Sequence, residues 1–205
     1  MKYFKTFGLI LIIVVAVMLL DRLLHPKPSD AQAMPTYSVG QVMAEQAAQV
    51  LHDQGRCVLV CLPLDSVRSQ AELEGFQHTF DKFKHLTLTA TKKFKPEETG
   101  MGRLSFEQFA ALVKEYSSAD LIVCMLRINS FTDSQIASLP RPCPKLVVMD
   151  WNPADVQRGL NAGLVKAAVM SRQLTALPTD NPRNPHEWFD RYYNLVTAES
   201  SGISK

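Results

Sequence analysis

The chain has 205 residues, with 22 Lys and Arg against 20 Asp and Glu, 46% hydrophobic residues and four cysteines. Such balanced charge and apolar content exclude an intrinsically disordered chain, and the cysteine density is far below that of a disulfide scaffold. The length suits one domain, with two small ones as the upper bound.

Apolar content is unevenly spread. Residues 7–20 carry no charge and follow a short basic start containing Lys2 and Lys5. A spanning helix needs about 20 apolar residues for a hydrocarbon core of about 30 Å. Residues 4–24 reach that length if Lys5 snorkels at one end and Asp21 and Arg22 sit at the far interface. A signal peptide cleaved near Ala33, at Ala31-Gln32-Ala33, is the alternative, although that site lies well past the apolar run. The expectation is an N-terminal transmembrane anchor (or signal peptide) over residues 1–25, a tether over 26–37, one domain over 38–198 and a tail over 199–205. Lysine bias keeps the N-terminus cytoplasmic and sends the domain outside, at the cell membrane as a single-pass protein; cleavage would leave it periplasmic or secreted. Residues 34–205 hold 18 basic and 18 acidic side chains, so a neutral domain gives no electrostatic case for nucleic-acid binding.

Within the domain, residues 38–54 show helical periodicity, with Ser38 and Gln41 as a capping box and Gly55 as a stop. Residues 57–62 are a continuous apolar run, the mark of a strand covered on both faces. Residues 69–83 place Leu73, Phe76, Phe80 and Phe83 on one helical face. Residues 85–91 alternate, as an exposed edge strand does. A helix capped by Ser105 and Gln108 covers 105–116, and 121–126 is a second apolar strand. A short helix over 132–139, a strand over 145–149, a helix from Asn152-Pro153 to Ala162 and a strand over 164–170 complete the alternation. Asn184 and Pro185 open a last helix whose apolar face carries Trp188, Phe189, Tyr192, Leu195 and Val196.

Strands alternating with helices predict an α/β fold: three layers around a five-stranded, mainly parallel, doubly wound sheet. An exposed second strand beside buried first, third and fourth strands selects the order 2-1-3-4-5.

Ligands of such sheets bind outside the strand carboxyl ends, where the strand order reverses. The loops there carry Asp65, Ser66, Arg127, Asn129, Asp150 and Asn152, a set able to hold a polar ligand by hydrogen bonds. The same residue types also cap helices and make turns. The loop after the first strand contains no glycine, so neither a dinucleotide fingerprint nor a P-loop is present. No cofactor is implied. Cys57 and Cys61 would lie about 13 Å apart on a strand, which excludes a shared tetrahedral ion. The cysteines read as buried thiols, with a Cys61–Cys124 pair as an alternative. The five histidines show no ligand spacing, so no metal is expected. Lysines 82, 84, 92, 93 and 95 surround the edge strand and block sheet-to-sheet pairing.

The apolar strand, Pro63 and Glu74-Gly75-Phe76-Gln77 resemble the opening of a lobe of type I periplasmic binding proteins. Residues 161–169 (Asn-Ala-Gly-Leu-Val-Lys-Ala-Ala-Val) resemble the helix-glycine-strand step of such a lobe. The resemblance covers roughly residues 56–172 and implies ligand capture at the strand ends. Those proteins close two lobes on a ligand, and one lobe fits here. The expected function is a membrane-anchored, non-enzymatic extracytoplasmic binding or interaction module with a small polar ligand or protein partners in the envelope. A structural subunit using Trp188 and Tyr192 as a partner surface, or an enzyme acting on a polar small molecule at the strand ends, stands as the alternative.

Overall fold

The computed structural model describes residues 33–63, 66–99, 102–150, 152–173 and 182–200. The anchor expected over residues 1–25 lies outside them. Among the described residues, no helix is long and apolar enough to cross a membrane.

Helix α1 (Met34–Leu51) opens the domain one turn earlier than Ser38 suggests. Pro35 is tolerated in the first turn, where its missing N–H costs no helical bond. Ser38 is therefore inside the helix, where its Oγ donates to the Pro35 carbonyl at 2.6 Å. The helix also stops before Gly55. His52 and Asp53 take left-handed conformations, at φ 52° and 60°, and donate back to the carbonyls of Gln49 and Ala48.

Strand β1 (Gln54–Cys61) and helix α2 (Val67–Phe80) follow, then strand β2 (His85–Lys93). A two-residue strand β3 (Arg103–Leu104) leads into helix α3 (Phe106–Glu115), held by the Ser105–Gln108 capping box. Strand β4 (Leu121–Cys124) is shorter than its apolar run, because the chain then turns into β5 (Arg127–Ile128). β5 pairs with β3 in a small parallel ribbon, Arg103 opposite Arg127 and Leu104 opposite Ile128. Helix α4 (Asp133–Ser138), strand β6 (Lys145–Met149), helix α5 (Pro153–Asn161) and strand β7 (Val165–Ser171) continue the alternation.

The main sheet has six strands in the order β2-β1-β4-β6-β7-β8. Its first five members are parallel and reproduce the order 2-1-3-4-5. The sixth is a correction. Helix α6 (Pro185–Tyr192) is shorter than its apolar face suggests, and residues 193–197 form strand β8 (Tyr193–Thr197), antiparallel to β7. Leu195 and Val196 therefore serve as strand residues. They cover an edge of β7 that would otherwise present unpaired backbone groups.

Two apolar clusters lie on opposite faces of the sheet. One joins α1, α2 and α6 to Cys57, Leu59, Cys61, Val123 and Val147. The other joins α3, α4 and α5 to Val58, Val60, Cys124, Leu146 and Val148. Alternate residues of each strand enter opposite clusters, as the pleat requires. Cys61 and Cys124 thus fall on opposite faces, which separates the pair considered as a cross-link; all four cysteines are free thiols.

Helices α1 and α2 cross with their backbones in near contact. A Cβ added at Gly40 would stand 1.9 Å from the Glu72 carbonyl oxygen, and one at Gly75 would stand 2.1 Å from that of Tyr37. This crossing makes α1 an integral layer and fixes the position of Glu72, which decides the chemistry of the strand ends.

Candidate functional site

The strand order reverses between β1 and β4, since β1 lies between β2 and β4. In a parallel sheet this leaves a crevice at the carboxyl ends, with helix N-termini facing it. Ser66 caps α2 there, accepting from the Ser69 N–H at 3.1 Å. Asn152 caps α5, accepting from the Ala154 N–H at 2.9 Å. Asn129 is exposed just after β5, its N–H donating to the Leu104 carbonyl. Asp65 lies outside the described residues.

Arg127 and Asp150 are brought together. The Arg127 Nη2 donates to the Asp150 Oδ2 at 3.3 Å. The other carboxylate oxygen, Oδ1, accepts from the Ser171 N–H at 2.8 Å and from its hydroxyl at 2.7 Å. Asp150 sits at φ 47° immediately after β6, a conformation that aspartate tolerates better than most residues. Its side chain is 8% exposed while that of Arg127 is 50% exposed. Asp150 is therefore the fixed member of the pair and Arg127 the accessible one.

Beside this pair stands Glu72, on the inner side of α2. Its Oε1 is buried and, among the described residues, has no hydrogen-bond partner. Burial pushes its carboxyl up to about 8, with Arg68 pulling it down and Asp150 pushing it further up. Arg68 lies one turn earlier on the same helix and hydrogen-bonds the side chain of Tyr193, the buried first residue of β8. Tyr193 is itself raised, mainly by burial; Arg68 pulls it down, while the carboxyl groups of Glu72 and Asp150 push it further up. Arg172 closes this side, its Nε donating to the Tyr193 carbonyl at 2.8 Å. The Cys61 thiol at the end of β1 is pushed up to about 11, chiefly by burial.

Sequence reasoning missed Glu72. The signal was present: Arg68, Glu72, Phe76 and Phe80 recur every four residues, so a carboxylate stands on the apolar stripe of its helix. Tyr193 was hidden because the last helix was read straight through it, with Tyr192 on the apolar face instead, whereas it opens strand β8.

The other candidate surface lies elsewhere. Trp188 is 8% exposed and stacks on Tyr192 with ring centroids 6.0 Å apart. Helix α6 packs against α1, where His186 Nε2 meets Glu45 at 2.9 Å. Trp188 therefore presents little free surface, and Tyr192 is the more open of the two. At the amino-terminal edge of the sheet, Arg141, Cys143, Lys145 and Gly163 line a small pocket. Among the described residues, no group of three or more His, Cys, Asp or Glu side chains is placed to hold a metal ion.

Three layers around this strand order, with polar side chains at the reversal point, match the fold of a periplasmic-binding-protein lobe. Solved structures with the same fold include solute-binding and sugar-binding proteins. A solute-binding protein from Burkholderia graminis in complex with D-arabinose superposes with a TM-score of 0.54 at 14% identity, covering 86% of this chain and 62% of that one. AraP, an arabinose-binding protein from Geobacillus stearothermophilus, gives 0.54 at 18% identity, covering 83% and 63%. A sugar-binding protein from Bacillus halodurans gives 0.54 at 13% identity, covering 83% and 64%. The chain thus spans under two thirds of the length of these proteins. No protein-family model matches the sequence, and no curated protein matches it.

Proposed function

We propose that the chain is a non-enzymatic binding module that captures a small polar ligand at the strand carboxyl ends. The observation that carries this reading is the convergence of Arg68, Glu72, Arg127 and Asp150 at the reversal of strand order. The arrangement can hold a ligand and orient it, because Asp150 is locked by Ser171 while Arg127 is half exposed, and each guanidinium carries five N–H donors. The sugar-binding proteins that share the fold support a ligand of metabolite size.

Residues 1–25 hold the module at the outer face of a membrane. Their uncharged run and the lysines before it support this placement. Cleavage near Ala33 would instead release the domain to the same compartment.

Calorimetric titration of the detergent-solubilised full chain with pentoses, hexoses and their acids tests the binding reading. One of these binds saturably with unit stoichiometry, and Arg127→Ala weakens that binding by about tenfold. Binding that Arg127→Ala and Arg68→Ala both leave unchanged would place the ligand elsewhere.

A further inference from the structure

The hydrogen-bonding inventory of the strand-end crevice is lopsided. Four arginines lie on the elements that border it. Arg127 reaches Asp150, Arg68 reaches Tyr193 and Arg172 is bound to the Tyr193 carbonyl. Arg103 is the register partner of Arg127 in the small ribbon. Paired residues of a parallel ribbon leave it on the same face. Leu104 and Ile128 point into the core, so Arg103 and Arg127 both point away from it. Each guanidinium carries five N–H donors, more than the contacts above consume. Helix α2, 14 residues long, adds the partial positive charge of its N-terminus.

Acceptors are scarce by comparison. Both oxygens of Asp150 are already engaged, by Arg127 and by Ser171. Among the described residues of the crevice, the buried Oε1 of Glu72 has no hydrogen-bond partner. A neutral polyol, whose hydroxyls donate as readily as they accept, would leave most of the guanidinium N–H groups unmatched. An ammonium group would face the arginines at a repulsive distance. The complement to this inventory is an anion with several acceptor oxygens and an uncharged donor.

We propose that the crevice takes a small hydroxycarboxylate, its carboxylate held by Arg127 and Arg103 with Arg68 nearby, and its hydroxyl donating to Oε1 of Glu72. This assignment rests on the binding reading above and adds the charge and donor pattern of the ligand. Arg68, tied to Tyr193, orients the ligand more than it attracts it. Glu72 supplies selectivity, since a plain carboxylate gains nothing from it.

The test is calorimetric titration of the full chain in detergent with D-gluconate, D-glucose, hexanoate and L-glutamate. Gluconate binds at least about tenfold more tightly than glucose, hexanoate or glutamate. Arg103→Gln, an exposed change that leaves folding intact, weakens gluconate by about tenfold. Glu72→Met brings gluconate down to the level of hexanoate while leaving hexanoate unchanged. Glucose binding as tightly as gluconate would overturn the hydroxycarboxylate while leaving capture at the strand ends in place. Glutamate binding more tightly than gluconate, or gluconate binding indifferent to Arg103→Gln, would overturn it as well. Silence from all four probes would overturn this assignment, and silence from the neutral pentoses and hexoses too would overturn the binding reading with it.

Discussion

Arg127 and Asp150 meet at 3.3 Å across the carboxyl ends of two strands, yet they are unequal partners. Asp150 is nearly enclosed and accepts two further bonds from Ser171, whereas Arg127 is half exposed. Asp150→Ala removes every acceptor from this group and strands the Ser171 N–H, at a cost of about 2 kcal/mol. Arg127→Ala costs less than about 1 kcal/mol, the usual worth of a half-exposed ion pair. Urea denaturation of both variants checks the contrast, and equal losses would contradict the assignment of roles.

The glycines at the α1–α2 crossing give a sharper stability prediction. Added Cβ atoms at Gly40 and Gly75 would overlap backbone carbonyls, which cannot move aside as a flexible side chain can. Gly40→Ala and Gly75→Ala each cost about 3 kcal/mol or more by forcing the helices apart. Gln49→Ala, at an exposed position of α1, changes stability by about 0.5 kcal/mol or less. Thermal unfolding of the three variants separates these outcomes.

Glu72 sets a pH dependence with a definite sign. Its carboxyl is raised from the usual 4.5 to about 8, mainly by burial. The folded chain holds a proton that the unfolded chain has released, so the unfolded state gains as pH rises between those values. The contribution of Glu72 to stability is complete below about pH 4.5 and is lost as pH climbs through about 8. Glu72→Gln, which keeps the shape and cannot ionise, removes this slope. The wild type therefore loses on the order of 2 kcal/mol relative to Glu72→Gln between about pH 5 and pH 8. Denaturation curves of both proteins across that range measure it directly.

Thiol reactivity ranks the cysteines. Burial pushes the Cys57 and Cys124 thiols up to about 12, and Cys61 to about 11. Cys143 is only half-buried, and its thiol is raised to a smaller extent. Alkylation of the native chain near pH 8 modifies Cys143 first, and the other three only after unfolding. Mass mapping of the modified residue checks the order.

Much of the architecture was legible because its signals are local. The continuous apolar runs of β1, β4, β6 and β7 report burial on both faces, and the alternation over residues 85–91 reports an edge. Those patterns fix the strand order. The ends of elements were harder to read. Pro35 extends α1 where Ser38 looked like its cap, because both choices satisfy the same backbone groups. Residues 193–197 carry an apolar spacing that fits a helix, but pairing with β7 satisfies their backbone as a strand. In the site, Arg127 and Asp150 were found from loop position alone. Ser66 and Asn152 proved to be helix caps, and nothing in a loop sequence separates capping from ligand binding. Glu72 was legible in principle as a charge on an apolar stripe. Its burial without a hydrogen-bond partner among the described residues, however, is a product of tertiary packing that no local pattern specifies.

The most direct test of ligand capture at the strand ends is amide and side-chain NMR of the isotopically labelled full chain in detergent, titrated with a ligand found by calorimetry. The account predicts shifts concentrated at Ser66, Arg68, Arg127, Asp150, Ser171 and Tyr193, saturating together with the calorimetric binding curve. Shifts confined instead to Arg141, Cys143 and Lys145 at the opposite edge, or to Trp188 and Tyr192, would contradict it.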